Sequence, residues 1–296
     1  MTEKNLQELI QEQFHKDNFI IRTNSVSSQK DEDNTNSAKD EKWAVIYCSS
    51  NGVYREDTVE CFKKAILEID NYEWYMNRIP YAEKHIFIRD VSKRFYQFGI
   101  NDNSLDSIEK VAEKLQQETE GYKIITIGSS SGGMAAIVFG KMLKAEFTIA
   151  FSPLLRPYKP DEAKEIVEQK IAAKEYFDAV EYANSDIPIF YIYPNGSEWD
   201  IYNSSLVTNF QNVYFLPIKS CIHGVPMNKR VLRKIIESKP NKLKNIIKYR
   251  TNDEISEYKF ALKNWGFGFY LLRVYDFIKK YPLFFLKKDF YTLILR

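Results

Sequence analysis

The sequence predicts an α/β fold with a doubly wound, mostly parallel sheet of about six or more strands, and three observations predict it. Short apolar, β-branched runs alternate with stretches of helical spacing along most of the chain. A strand, an abrupt glycine-flanked turn and a helical pattern follow one another at Tyr122–Met134. The length, 296 residues with 44% hydrophobic side chains, suits one substantial core with appendages better than two equal domains. Such sheets use right-handed crossovers and place ligands beyond the carboxyl ends of their strands.

In residues 1–22, Leu6, Leu9, Ile10 and Phe14 recur at helical spacing and predict a short amphipathic helix that packs on the main domain. Residues 23–42 hold Ser, Asn, Asp and Lys with almost no apolar side chain. They cannot bury surface to offset their ordering entropy, so a flexible linker is expected there. The main α/β domain is expected over 43–239. Trp43–Cys48 is a compact apolar run that reads as a buried strand entering a turn at Ser49-Ser50-Asn51-Gly52. Thr58–Ile69 reads as a helix, and His85–Ile88 as a second strand closed by Arg89-Asp90. Phe95, Tyr96 and Phe98 line the next loop and face either a site or the core. Asn103 or Ser104 is placed to cap a helix carrying Leu105, Ile108, Val111, Ala112 and Leu115. Ile124–Ile127 is the strand of the central corner. Phe147–Phe151 is a strand stopped by Ser152-Pro153, and Ala163–Ala183 is a polar, charged helical region placed to form a cap. Ile187–Tyr193 is a strand running into Pro194-Asn195-Gly196, Val213–Leu216 is the last strand, and Val225–Ile236 is helical. Past Lys239-Pro240 the composition shifts to Lys, Tyr, Phe and Leu, and 240–296 is expected to be a basic, aromatic helical appendage.

Composition narrows the chemistry. Cys48, Cys61 and Cys221 form no paired spacing and no Cys-x-x-Cys, so neither a disulfide framework nor a metal site is expected. The central glycines lack the Gly-Lys-Ser/Thr of a phosphate cradle and the Gly-x-Gly-x-x-Gly of a dinucleotide site, and no cofactor is expected. The first residues carry acidic and amide groups where a signal peptide needs an apolar core, and no run reaches eighteen apolar residues. A cytoplasmic, non-spanning protein is the expectation. The net charge of +2 hides an asymmetry, since twelve Lys or Arg stand against five Asp or Glu from Asn241 onward. With Trp265, Phe267, Phe269, Phe284 and Phe285 interleaved, this tail fits either peripheral contact with an anionic inner membrane face or packing on the main domain. No nucleic-acid-binding motif accompanies the charge, and no nucleic-acid partner is expected.

The corner itself carries the chemistry. Gly128, Ser130 and Gly132 fit Gly-x-Ser-x-Gly, in which a strained turn lifts one serine hydroxyl above the end of a parallel sheet. Of the three consecutive serines only Ser130 has glycine at both minus two and plus two. A serine hydroxyl is a poor nucleophile until an imidazole takes its proton, and the imidazole needs a carboxylate to fix its tautomer. His223 alone among the histidines follows Ser130, just past the last strand. The acid belongs after the preceding strand, where Asp200 is the first choice and Glu198 the second; helix capping is the competing role for Asp200. For the oxyanion, the backbone amide of Ser131 is the first donor. The early loop, through Ser50 or Asn51, is the candidate second donor, with an ordinary Asn-Gly turn as the alternative reading.

Over roughly residues 43–237 the chain resembles the α/β-hydrolase superfamily. Within it Ile127–Ala136, Phe139-Gly140 and Ala150-Phe151-Ser152-Pro153 look like a bacterial branch found with surface-polysaccharide biosynthesis and related to accessory secretion-system glycan acetyltransferases. That branch often has Met where this chain has Ser131. The His-Gly-Gly-Gly motif of ordinary esterases is missing, and Ser49–Gly52 stands in its place. The resemblance implies Ser130 as nucleophile, His223 as general base and Asp200 as its orienting acid. It also implies a serine-dependent ester hydrolase or acyl-transfer enzyme acting on a small-molecule or glycan ester, an acylated carbohydrate in surface-glycan biosynthesis. The alternative is a non-catalytic binding or scaffolding protein that keeps the fold. The acceptor is water in an esterase and a sugar hydroxyl in an acyltransferase, and the same triad serves both.

Overall fold

Where β-branched and aromatic residues run together the backbone is extended, and the computed structural model, which describes residues 4–24, 41–156, 178–247 and 254–280, gathers these runs into one sheet. Its strands are β1 (Phe19–Thr23), β2 (Trp43–Cys48), β3 (Lys84–Ile88), β4 (Lys123–Ser129), β5 (Phe147–Phe151), β6 (Ile189–Pro194) and β7 (Val213–Ile218). They lie in the order β1-β3-β2-β4-β5-β6-β7. Only the β1–β3 pairing is antiparallel. The helices are α1 (Leu6–Phe14), α2 (Val59–Phe62, continued as a π-helical Lys63–Glu68), α3 (Ile108–Glu118), α4 (Ser131–Met142), α5 (Val180–Ala183), α6 (Glu198–Ser205), α7 (Lys229–Ile236), α8 (Pro240–Ile246) and α9 (Glu257–Lys280).

Side chains along a strand point alternately to the two faces, so a sheet covered on both sides needs apolar residues at every position. In β2, Ile46 and Cys48 join the core beneath α3 and α4, while Val45 and Tyr47 join the opposite core beneath α7, α8 and the start of α9. β6 divides in the same way, Tyr191 and Tyr193 to one side and Phe190 and Ile192 to the other. α4 is buried from Ser131 to Gly140 and lies tight on the sheet. A Cβ at Gly140 would stand 2.3 Å from Thr148 Oγ1, on the hydrogen-bonded Thr126–Thr148 pair.

Several elements differ from their sequence expectation. Within 1–22 the helix occupies Leu6–Phe14 behind an Asn5 capping box, and Phe19–Thr23 is then a seventh strand, paired to β3. The helix expected from Leu105 starts at Ile108 with Ser107 as its cap; Asn101 Oδ1 accepts the amides of Asn103, Ser104 and Leu105 and holds them in a turn instead. Of the stretch Val225–Ile236 only α7 is helical, because Asn228 caps it. Tyr96 is buried and donates to the Ser49 carbonyl, so it belongs to the core under the early loop, whereas Phe98 is exposed. Most of the expected linker, most of the expected cap over Ala163–Ala183 and the end of the appendage beyond Lys280 lie outside the described residues.

What positions a site is the register. Ser129 pairs with Phe151, Phe151 with Ile192 and Ile192 with Leu216, so β4 to β7 finish along one edge and the loops that follow them meet there.

Candidate active site

Ser130 follows β4 directly and has φ 56° and ψ −124°, outside the regions open to an ordinary L-residue. Such a conformation costs about 1–3 kcal/mol and persists only where its surroundings over-determine it. Here the Ser130 amide donates to the Phe151 carbonyl at 2.9 Å and its carbonyl accepts from Met134 and Leu154. The flanking glycines are required by space. A Cβ on Gly128 would lie 2.0 Å from the Gly132 carbonyl oxygen, and one on Gly132 would lie 2.3 Å from that of Cys48.

His223 lies in the loop between β7 and α7, and Asp200 in the first turn of α6. Nε2 of His223 is 2.8 Å from Ser130 Oγ, and Nδ1 is 3.0 Å from both carboxylate oxygens of Asp200. A carboxylate can only accept, so Nδ1 carries the hydrogen and Nε2 is left to accept from the serine hydroxyl. Asp200 is wholly buried, and Ser197 caps its helix, which leaves the carboxylate to the imidazole. Glu198, two residues earlier, is exposed. Strand, sharp turn and buried helix, with an acid after β6 and a histidine after β7, complete the pattern. This is the α/β-hydrolase fold.

In the α/β-hydrolase fold the amide after the nucleophile and one from an early loop face the developing oxyanion. Ser131 opens α4, so its N–H has no partner within the helix and lies at the positive end of the helix dipole. The early loop is arranged otherwise than expected. The Ser50 amide donates to Glu73 Oε2 at 2.6 Å and the Ser50 hydroxyl to Oε1 at 2.9 Å, while the Asn51 amide donates to Ser131 Oγ at 2.8 Å. Neither amide is unengaged, and Ser50 caps the short 3-10 turn Asn51–Val53 as well. Desolvation pushes the Glu73 carboxyl above its ordinary range, and the two Ser50 bonds oppose that rise.

Two further side chains and a glycine support the site. The Trp199 ring stacks on His223 at 5.6 Å between centroids. Ser152 donates from Oγ to the Gly224 carbonyl at 2.7 Å and ties the histidine loop to the end of β5. Gly196 admits that loop closely, since a Cβ there would lie 2.7 Å from Cys221 Sγ. Among the described residues no group of three or more His, Cys, Asp or Glu side chains is placed to hold a metal ion.

No protein-family model matches the chain, and no curated protein matches it. Among solved structures it is similar to the capsule O-acetyltransferase of Neisseria meningitidis serogroup A, at 12% identity and a TM-score of 0.44, over 70% of this chain and 88% of that one. Est1E from Butyrivibrio proteoclasticus is 10% identical with a TM-score of 0.40, over 67% of this chain and 86% of that one. A monoacylglycerol lipase from Paleococcus ferrophilus is 13% identical with a TM-score of 0.37, over 66% and 92%. At these values the likenesses add nothing to the geometry, on which the chemistry rests.

Proposed function

We propose that this chain is a serine-dependent ester hydrolase or acyl-transfer enzyme that uses Ser130, His223 and Asp200 as its triad. The observation that carries the reading is the unbroken line of hydrogen bonds from Ser130 Oγ through both ring nitrogens of His223 to Asp200. Ser130 Oγ attacks the ester carbonyl as His223 Nε2 takes its proton, and Asp200 stabilises the imidazolium. The Ser131 amide holds the oxyanion, and collapse expels the alcohol, protonated by His223. The acyl group on Ser130 then passes to water or to an acceptor hydroxyl, which His223 deprotonates. An acylated carbohydrate is the proposed substrate class, on the sequence resemblance around Ser130 and Ser152-Pro153.

The test is labelling with a fluorophosphonate and turnover of 4-nitrophenyl acetate. Wild type should react in both assays. Ser130→Ala should lose both and His223→Ala nearly both, by about 10³-fold or more in rate, with unchanged circular dichroism. Ser129→Ala should keep both. Full labelling of Ser130→Ala would refute the assignment, and an unreactive wild type would favour the binding-protein alternative.

A further inference from the structure

The C-terminal helix divides its apolar residues between two uses. Gly266, at φ 82° and ψ 176°, interrupts α9. On one side of the helix Trp265 and Phe269 pack on the core that contains Phe260 and Ala261. Phe267 is 63% exposed, Leu271 49%, Tyr275 58% and Ile278 39%. Steps of four, four and three residues keep these four side chains within about 80° of arc at 3.6 residues per turn, a stripe roughly 17 Å long. Leu272, 47% exposed, widens one flank. Isolated exposed apolar side chains need no explanation, but a continuous stripe of this kind does.

Charge indicates the occupant. From Phe267 onward the sequence has Arg273, Lys279, Lys280, Lys287, Lys288 and Arg296 against Asp276 and Asp289. An apolar stripe in a basic stretch is complementary to an anionic lipid interface, where buried apolar area and attraction to headgroups add. Among the described residues no helix is long and apolar enough to cross a membrane, so contact through α9 is lateral. We propose that the stripe Phe267, Leu271, Tyr275 and Ile278 lies in the interface of an anionic membrane with α9 parallel to its surface. Under this proposal the two expectations for the tail fall on different residues: Trp265 and Phe269 pack on the domain, and the stripe is left for lipid. This inference does not rest on the catalytic reading.

Flotation of the full-length protein with vesicles tests it. Binding is expected to an equal mixture of phosphatidylcholine and phosphatidylglycerol and not to phosphatidylcholine alone. It should fall as salt shortens the Debye length from about 10 Å at 0.1 M to about 3 Å at 1 M. The variant Phe267→Ser/Leu271→Ser/Tyr275→Ser should bind about tenfold or more weakly, at an unaltered melting temperature and with unaltered fluorophosphonate labelling. Lys279→Glu, which changes charge alone, should weaken binding at low salt and not at high salt. Absence of binding to the mixed vesicles, or equal binding by parent and variants, would overturn the proposal. So would a dimer, seen by light scattering, that the triple substitution dissolves, since a second copy would then cover the stripe.

Discussion

Asp200 and Glu198 sit two residues apart in one helical turn, and burial separates them. Asp200 is enclosed and paired with His223, whereas Glu198 faces solvent. Asp200→Asn presents the imidazole with a partner that no longer enforces the tautomer, and ester turnover is expected to fall by about 10²–10⁴-fold. Glu198→Gln should stay within about threefold, and kcat/KM of the two variants measured side by side decides between the carboxylates. Ser130, Asp200 and His223 were legible in the sequence because each follows a different strand in a fixed order. The contacts that Glu73, Trp199 and Ser152 make were not. Glu73 reaches Ser50 from a loop 23 residues away, and nothing local to either residue encodes that meeting.

At the scale of elements, the strained turn after β4 depends on backbone passing close to backbone. Gly132→Ala would drive a methyl into the Cys48 carbonyl, a fixed atom of β2 that cannot swing away as a side chain would. A loss of about 2–4 kcal/mol in chemical denaturation is expected, with weakened labelling of Ser130. Gly268→Ala, where a Cβ meets nothing within 4 Å, is the control and should change neither. The central strands were readable because burial on both faces leaves continuous apolar runs. β1 was not, since Phe19-Ile20-Ile21 is brief and only its antiparallel pairing with β3 makes it a strand. The start of α3 was misplaced for a similar reason: Asn101 competes for the amides that a helix would have used.

For the whole molecule, the segment after α8 belongs partly to the core. Phe260 and Ala261 are fully buried in the core that also holds residues of β5, β6 and β7. A chain ending at Ile247 should lose at least the about 3–5 kcal/mol typical of deleting one buried Phe, measured by urea denaturation. The same segment does something a melting curve does not register. β7 is the last strand of the sheet, and Ile255 lies along its outer side, donating to the Pro217 carbonyl and accepting from the Lys219 amide, both at 3.0 Å. An uncovered strand edge is a template for another copy's backbone. The short Ile255 bridge occupies part of that edge, and the shortened chain is expected to scatter more light than the full-length chain at a concentration where both are folded.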